Sequence, residues 1–215
     1  MDNKSKNNSL MQLDKLIKMR ENLEKIVLPI SEEELCDRYE KLYTGAVNDV
    51  LREKCLLNQA LPAQIHPLHD EMKVCGIAYT IKSTPELRIS GEMDKRANML
   101  DDMPQNCICV WETGGDTDVA HWGEIMTAVS KNRGARGAVI DGGLRDTHQV
   151  LEQNFPVFYK YRISNGTLAR CRIIDYNTPV KIGNVIIYPG DIIFGDIDGV
   201  VVVPRKIAYD VLIRT

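Results

Sequence analysis

The segment VWETGGDTDVAHWGEIMTAVSKNRGARGAVIDGGLRD, residues 110–146, decides how this chain folds. It opens inside a short apolar run, CICVWE (107–112), of the kind that forms a buried strand. The Gly114–Gly115 pair then allows a sharp turn or a close backbone approach to a ligand. WGEIMTAVSKNRG (122–134) has a helical pattern with Gly134 as its stop signal. GAVID (137–141) is a second apolar strand, and Gly142–Gly143 a second glycine turn. Strand, turn, helix, strand, turn is the alternation of an α/β domain with parallel strands.

Working outward, VCGIAYTIKST (74–84) has the β-branched content of a strand, and residues 91–102 read as a helix. After the segment, DTHQVLEQ is a short helix, and PVFYK, RCRIID, VIIYPG, DIIFGD and VVVVP are short strands. Asn-Gly, Pro-Gly and Asp-Gly punctuate them, and a last helix starts from Pro204. At the front, residues 1–9 are rich in Asn, Lys and Ser and are expected to be flexible. Leu10, Leu13, Leu16, Ile17, Leu23 and Ile26 recur near helical spacing. Ser31 and Glu34 form a capping-box signature, and Thr44 is the expected cap of a third helix carrying Ala46, Val47, Val50 and Leu51. No repeat or linker divides the chain. The expected organisation is a helical arm over 1–30 followed by one α/β domain with an added β layer over 31–215.

Composition sets the outer bounds. The 215 residues carry 30 acidic and 27 basic side chains, a formal charge of −3, with 44% apolar and 27% charged residues. Disordered, collagenous and disulfide-scaffold classes are excluded. One domain of this size buries roughly 70% of its unfolded surface. The mild acidity argues against nucleic acid as a partner, which needs clustered Lys and Arg. No apolar run reaches the roughly 20 residues of a membrane helix. The polar N-terminus has no apolar signal core behind it, so a cytoplasmic location is expected. Six cysteines, Cys36, Cys55, Cys75, Cys107, Cys109 and Cys171, contain no CxxC pair and read as buried reduced thiols, with a redox or metal role the minor alternative.

Two places invite chemistry. In ETGGDTDVAHWGEIM (112–126), Gly123 precedes a helix whose unpaired N–H groups favour an anion; the plain alternative is a glycine turn with a solvated acidic loop. In AVIDGGLRD (138–146), a strand runs out to Arg145 and Asp146. The guanidinium suits a carboxylate or enolate oxygen, and the carboxylate suits a hard cation; equally, Asp146 could simply cap a helix beside a solvated Arg145. His66 and His69 in HPLHD read as a surface turn, and His148 need not face the site. His121 is either a pocket residue or a loop histidine. Trp111 and Trp122 read as packing residues, and Asp196 and Asp198 as hairpin-turn residues.

Glu124 and Arg145 are separated by 20 residues, and Asp146 follows. This acidic-x20-Arg-Asp pattern resembles the family of class II 4-hydroxy-4-methyl-2-oxoglutarate/4-carboxy-4-hydroxy-2-oxoadipate aldolases, which also holds the regulator of ribonuclease E activity A. LYTGAVNDVL, CGIAYTIKSTP, GGDTDVAHWGE, GAVIDGGLRD, FPVF and PGDIIFGDIDGVVVVP extend the likeness over roughly 35–205. The resemblance implies a three-layer β/β/α swivelling-type fold, assembled as a homotrimer or dimer of trimers. It implies a 2-oxo acid carboxylate bound at Gly123, Glu124, Ile125 and Met126, with Arg145 on the keto or enolate oxygen. Asp146 would be the protein ligand of Mg²⁺ or Mn²⁺, and Glu124 and Arg145 the catalytic pair. The implied reaction is cleavage of a 4-hydroxy-2-oxo acid to pyruvate, with oxaloacetate decarboxylation as a side activity. The alternatives are a non-catalytic regulator of a partner such as an RNA-degrading enzyme, or a related metal-dependent sugar-acid lyase. Two departures bear on the choice. The family's aldolases use an acidic residue from a neighbouring subunit, located toward a longer tail, for which Asp210 is only a loose candidate here. YKYRISNG after FPVF also replaces a Gly-containing stretch, which predicts a different pocket rim.

Overall fold

The computed structural model describes residues 11–19 and 26–215. Residues 11–19 form α1, all of it exposed; Leu10 and Leu23 of the expected apolar stripe lie outside the described residues. Helices α2 (Glu32–Tyr39) and α3 (Thr44–Glu53) follow. Ser31 caps α2 as expected, its hydroxyl accepting from the Glu34 N–H at 3.1 Å. Thr44 does not cap α3. Tyr43 occupies the cap position, and the orphan Thr44 N–H and hydroxyl both donate to Asp196, at 2.7 Å each. Asp196 also accepts from the Asp198 N–H, so it holds its own turn as well. A carboxylate 152 residues away therefore does the capping.

The short β1 (His66–Pro67) leads to the long β2 (Val74–Pro85), then α4 (Glu92–Asp101), β3 (Cys107–Glu112), β4 (Ala120–Trp122) and α5 (Glu124–Asn132). Next come β5 (Gly137–Ile140), β6 (Gly143–Leu144), α6 (Thr147–Glu152), β7 (Val157–Tyr159) and β8 (Tyr161–Arg162). The chain finishes with β9 (Cys171–Tyr176), β10 (Val180–Ile182), β11 (Val185–Ile187), β12 (Ile192–Asp196), β13 (Gly199–Val203) and, after a 3-10 turn, α7 (Ala208–Arg214).

The main sheet runs β1-β7-β5-β3-β2-β12-β13, with β9 pairing the distal half of β2. β2, β3, β5 and β7 are mutually parallel, and β12 and β9 share the other edge of β2 antiparallel. Side chains alternate across it as the pleat requires. Cys107, Cys109 and Trp111 face a core completed by α4, α5 and α6, while Ile108 and Val110 face the β10–β11 hairpin. Further along the helical side, Cys75, Ile77, Ile192 and Phe194 pack under α2, α3 and α7. Helices, main sheet and a smaller β layer make a mixed α/β, β/β/α domain. Leu28 and Ile30, at the end of the expected arm, pack against the α2–α3–α7 core.

β3, β5 and β7 each continue, past a turn, into a short strand of a second, all-parallel sheet: β4, β6 and β8. The order β4-β6-β8 copies the order of the parent strands. This small sheet stands at the carboxyl ends of the parallel strands, where open α/β sheets carry their ligands. It also corrects the expected helix start: Trp122 belongs to β4, Gly123 is extended, and α5 begins at Glu124. Five of the six cysteines are buried as expected, but Cys55, just past the end of α3, is exposed.

Candidate active site

The glycine turn after β3 is built by local hydrogen bonding. Glu112 Oε1 accepts the Gly114 N–H at 2.8 Å. Gly114 and Gly115 take φ of 69° and 78°, which other residues adopt at a cost, and a Cβ on Gly114 would stand 2.9 Å from the Ser83 carbonyl. The chain returns through β4. Trp122 is buried, its indole N–H donating to Thr127 Oγ1 at 2.8 Å and its ring stacked on Phe155. Trp111 meets it edge-on and donates to Ser83. These two rings hold the backbone from which α5 starts.

α5 has no side-chain cap from Gly123. The Glu124 N–H is met instead by Asp146 Oδ2 at 3.3 Å, from the next βα connection. Asp146 stands at the cap position of α6 but makes no cap bond there. Its backbone is left-handed, φ 55°, which turns the carboxylate away from α6 and toward α5. Gly123 leaves room for this: a Cβ there would lie 2.6 Å from Asp146 Oδ2. Arg145 Nε lies 3.5 Å from the same oxygen, and its guanidinium rests against Gly166.

These groups line a small cleft bounded by Ala120, His121, Trp122, Gly123, Ile125, Met126, Arg145, Asp146, Arg96 and Thr167. Arg96 comes from α4, held by buried Glu92 at 2.9 Å and by Thr167 Oγ1 at 3.1 Å, with its guanidinium over Trp111. Glu92 is fixed in turn by the Ile173 N–H. The cleft thus faces two guanidinium groups, one carboxylate and the first-turn amides of α5, which have no helical acceptor of their own.

Gly123, Ile125, Met126, Arg145 and Asp146 all come together here. Glu124 brings its N–H, while its side chain is exposed and outside the lining. Asp210 lies on α7, packed near α3 in the other helical cluster, and takes no part in the lining. His148 is exposed, and the His69 ring accepts from the Glu71 N–H, a local turn contact. Sequence reasoning missed Arg96 and Thr167, since a lone Arg on an amphipathic helix carries no signal of where it points. YKYRISNG supplies β8, and Tyr161 donates to the Asp116 and Val119 carbonyls.

His121 proves to be a buried pocket residue. Burial drives its pKa down to about 4 against the pull of Asp116, with Arg96 adding to the depression. Nearby Cys171 is pushed up to about 12, by burial first and then by Asp116.

A sequence model of the RraA-like family, described as aldolase/RraA, matches residues 34–202. The chain belongs to the RraA-like family. A Halalkalibacterium halodurans relative that carries the provisional name 4-hydroxy-4-methyl-2-oxoglutarate aldolase is 31% identical over 155 residues, 71% of this chain and 70% of its own length. Protein DlpA of Legionella pneumophila is 32% identical over 70% of this chain, which spans only 25% of DlpA. A crystal structure described as one of novel cellulases from microbes of the gut ecosystem superposes with a TM-score of 0.92 and 55% identity, over 98% of this chain and 95% of that one. Streptomyces coelicolor RraAS2 shares the RraA-like fold at a TM-score of 0.77 and 24% identity, over 84% and 90% of the two chains.

Proposed function

We propose that this RraA-like chain is a divalent-metal-dependent carbon–carbon lyase that releases pyruvate from a 4-hydroxy-2-oxo acid and decarboxylates oxaloacetate as a side reaction. The observation that carries the reading is the convergence of the α5 N-terminus, Arg145 and Asp146 on one cleft. The name of the Halalkalibacterium relative supports the same substrate class.

The donor set fits a hard cation. Asp146 is the one carboxylate in the lining, its orientation set by a left-handed backbone and by the space left at Gly123. A single carboxylate with room for water suits Mg²⁺ or Mn²⁺. Held by Asp146, such an ion would supply Lewis-acid polarisation of the 2-oxo acid. The remaining work falls to the chain. The amides of Ile125 and Met126 receive the substrate carboxylate, favoured by the helix dipole, while the Glu124 N–H stays on Asp146. Arg145 faces the 2-oxo oxygen and neutralises the negative charge that gathers there as the C3–C4 bond breaks. Glu124, whose exposed side chain stands outside the lining, is assigned the C4 hydroxyl proton, which it would take through water. The carbonyl product leaves, and protonation at C3 gives pyruvate.

Glycoside hydrolysis through two flanking carboxylates is a poorer match, because the lining holds only one. The lyase reading also carries assembly as a trimer or a pair of trimers, with the exposed Ile125 and the apolar residues of α1 as surface to be covered.

Oxalate mimics a pyruvate enolate. Calorimetric titration is expected to show oxalate binding that requires Mg²⁺ and is lost in Asp146→Asn. Absence of Mg²⁺-dependent oxalate binding by the wild type would remove the lyase reading and favour a partner-binding regulator.

A further inference from the structure

Beside the cleft, and sharing His121 with its lining, lies a cluster that the lyase reading does not use. Asp116 from the glycine loop, His121 from β4 and Cys171 from the start of β9 bring one oxygen, one nitrogen and one sulfur within 4.8 Å of one another. His121 Nδ1 stands 3.8 Å from Asp116 Oδ2. The His121 side chain is fully buried, yet neither ring nitrogen has a hydrogen-bond partner among the described residues, and neither does Asp116 Oδ2. Buried polar atoms left unpaired cost on the order of 1–3 kcal/mol each, so an unpaired imidazole nitrogen and an unpaired carboxylate oxygen facing one another beside a buried thiol need a reason.

We propose that Asp116, His121 and Cys171 form a second metal site, for a borderline-soft divalent ion of the Zn²⁺ class, separate from the hard-cation position at Asp146. The chemistry of the donors separates the two. Thiolate and imidazole select Zn²⁺ over Mg²⁺, whereas a lone carboxylate with water does the reverse. Thiolate and carboxylate together cancel a dication's charge, and the thiol proton leaves to solvent on loading. Arg96, whose charge acts on His121, is already balanced by Glu92. Three protein ligands leave a fourth position open. The three segments joined are the glycine loop, the second sheet and β9, so the ion would clamp the loop that leads into β4 and the cleft. Tyr161 also secures this loop, through the Asp116 carbonyl.

Cobalt(II) reports on such a site, because thiolate ligation gives a sulfur-to-metal charge-transfer band in the near ultraviolet. The full chain, stripped with a chelator and titrated with Co²⁺, is expected to bind one ion per chain with this band and to release Co²⁺ to added Zn²⁺. Cys171→Ser abolishes the band and Asp116→Asn weakens Co²⁺ binding at least tenfold. Cys55→Ser, which removes the exposed thiol, and Asp146→Asn, which disables the other site, leave the band intact. A wild-type protein that gives no charge-transfer band overturns the proposal whatever the variants do. So does a band that persists in folded Cys171→Ser.

Discussion

At the residue scale, Gly123 and Asp146 depend on one another. The carboxylate fills the space in which any other side chain at 123 would place its Cβ, and that Cβ would also stand 3.1 Å from Arg145 Cγ. Gly123→Ala therefore displaces both groups while leaving the core untouched. A misplacement of about 1 Å costs roughly 100-fold in turnover, so pyruvate release is expected to fall by about that factor with the melting temperature nearly unchanged. Parallel turnover and thermal-melt measurements check this, and a large loss of stability instead would show that Gly123 is a folding requirement. A second residue predicts a pH effect. Asp191 is buried, and desolvation raises its carboxyl to about 6 despite N–H donors from Tyr188 and Arg205. Between its ordinary value near 4 and about 6, the folded chain binds more protons than the unfolded one, so this group's contribution to stability is full at low pH and is lost as the pH rises through 6. Asp191→Asn removes that dependence. Its unfolding free energy relative to wild type is expected to improve by up to about 3 kcal/mol between pH 4 and pH 7, as denaturant titration at the two pH values would show.

At the element scale, the site is made by strands too short to announce themselves. β6 is two residues, Gly143 and Leu144, within what reads as a glycine turn, and β4 is three residues ahead of a helix. Neither is long enough to show a period of two, so the second sheet was invisible in the sequence, although the parent strands CICVWE and GAVI were plain from their apolar runs. Capping shows the same limit. The Ser31–Glu34 box is local and legible, while α3 is capped by Asp196 across 152 positions, which no local pattern encodes. That long-range cap is testable. Asp196→Ala strands the buried Thr44 N–H and hydroxyl and frees the Asp198 N–H, and is expected to cost about 2–3 kcal/mol in urea unfolding. Ser31→Ala, by contrast, removes one exposed bond and should cost about 1 kcal/mol or less.

At the scale of the whole molecule, the parallel strands deliver their loops to one end, the second sheet organises those loops, and the α4 helix adds Arg96 from the side. Arg145 and Asp146 could be singled out from their place after a strand and a glycine turn; Arg96, Thr167 and the Asp116–His121–Cys171 cluster required the fold, because these five residues lie on five separate elements or loops. Helix α1 exposes Met11, Leu13, Leu16 and Met19, each more than half accessible. Light scattering is expected to give three or six times the 24.3 kDa chain mass, and a monomer at micromolar concentration would contradict the assembly. The central claim is tested most directly by pyruvate release from a panel of 4-hydroxy-2-oxo acids and oxaloacetate, with and without Mg²⁺, for the wild type and Asp146→Ala. The account predicts Mg²⁺-dependent pyruvate from at least one substrate and background rates in the variant. Background rates for every substrate in the wild type, or full activity in Asp146→Ala, would contradict it.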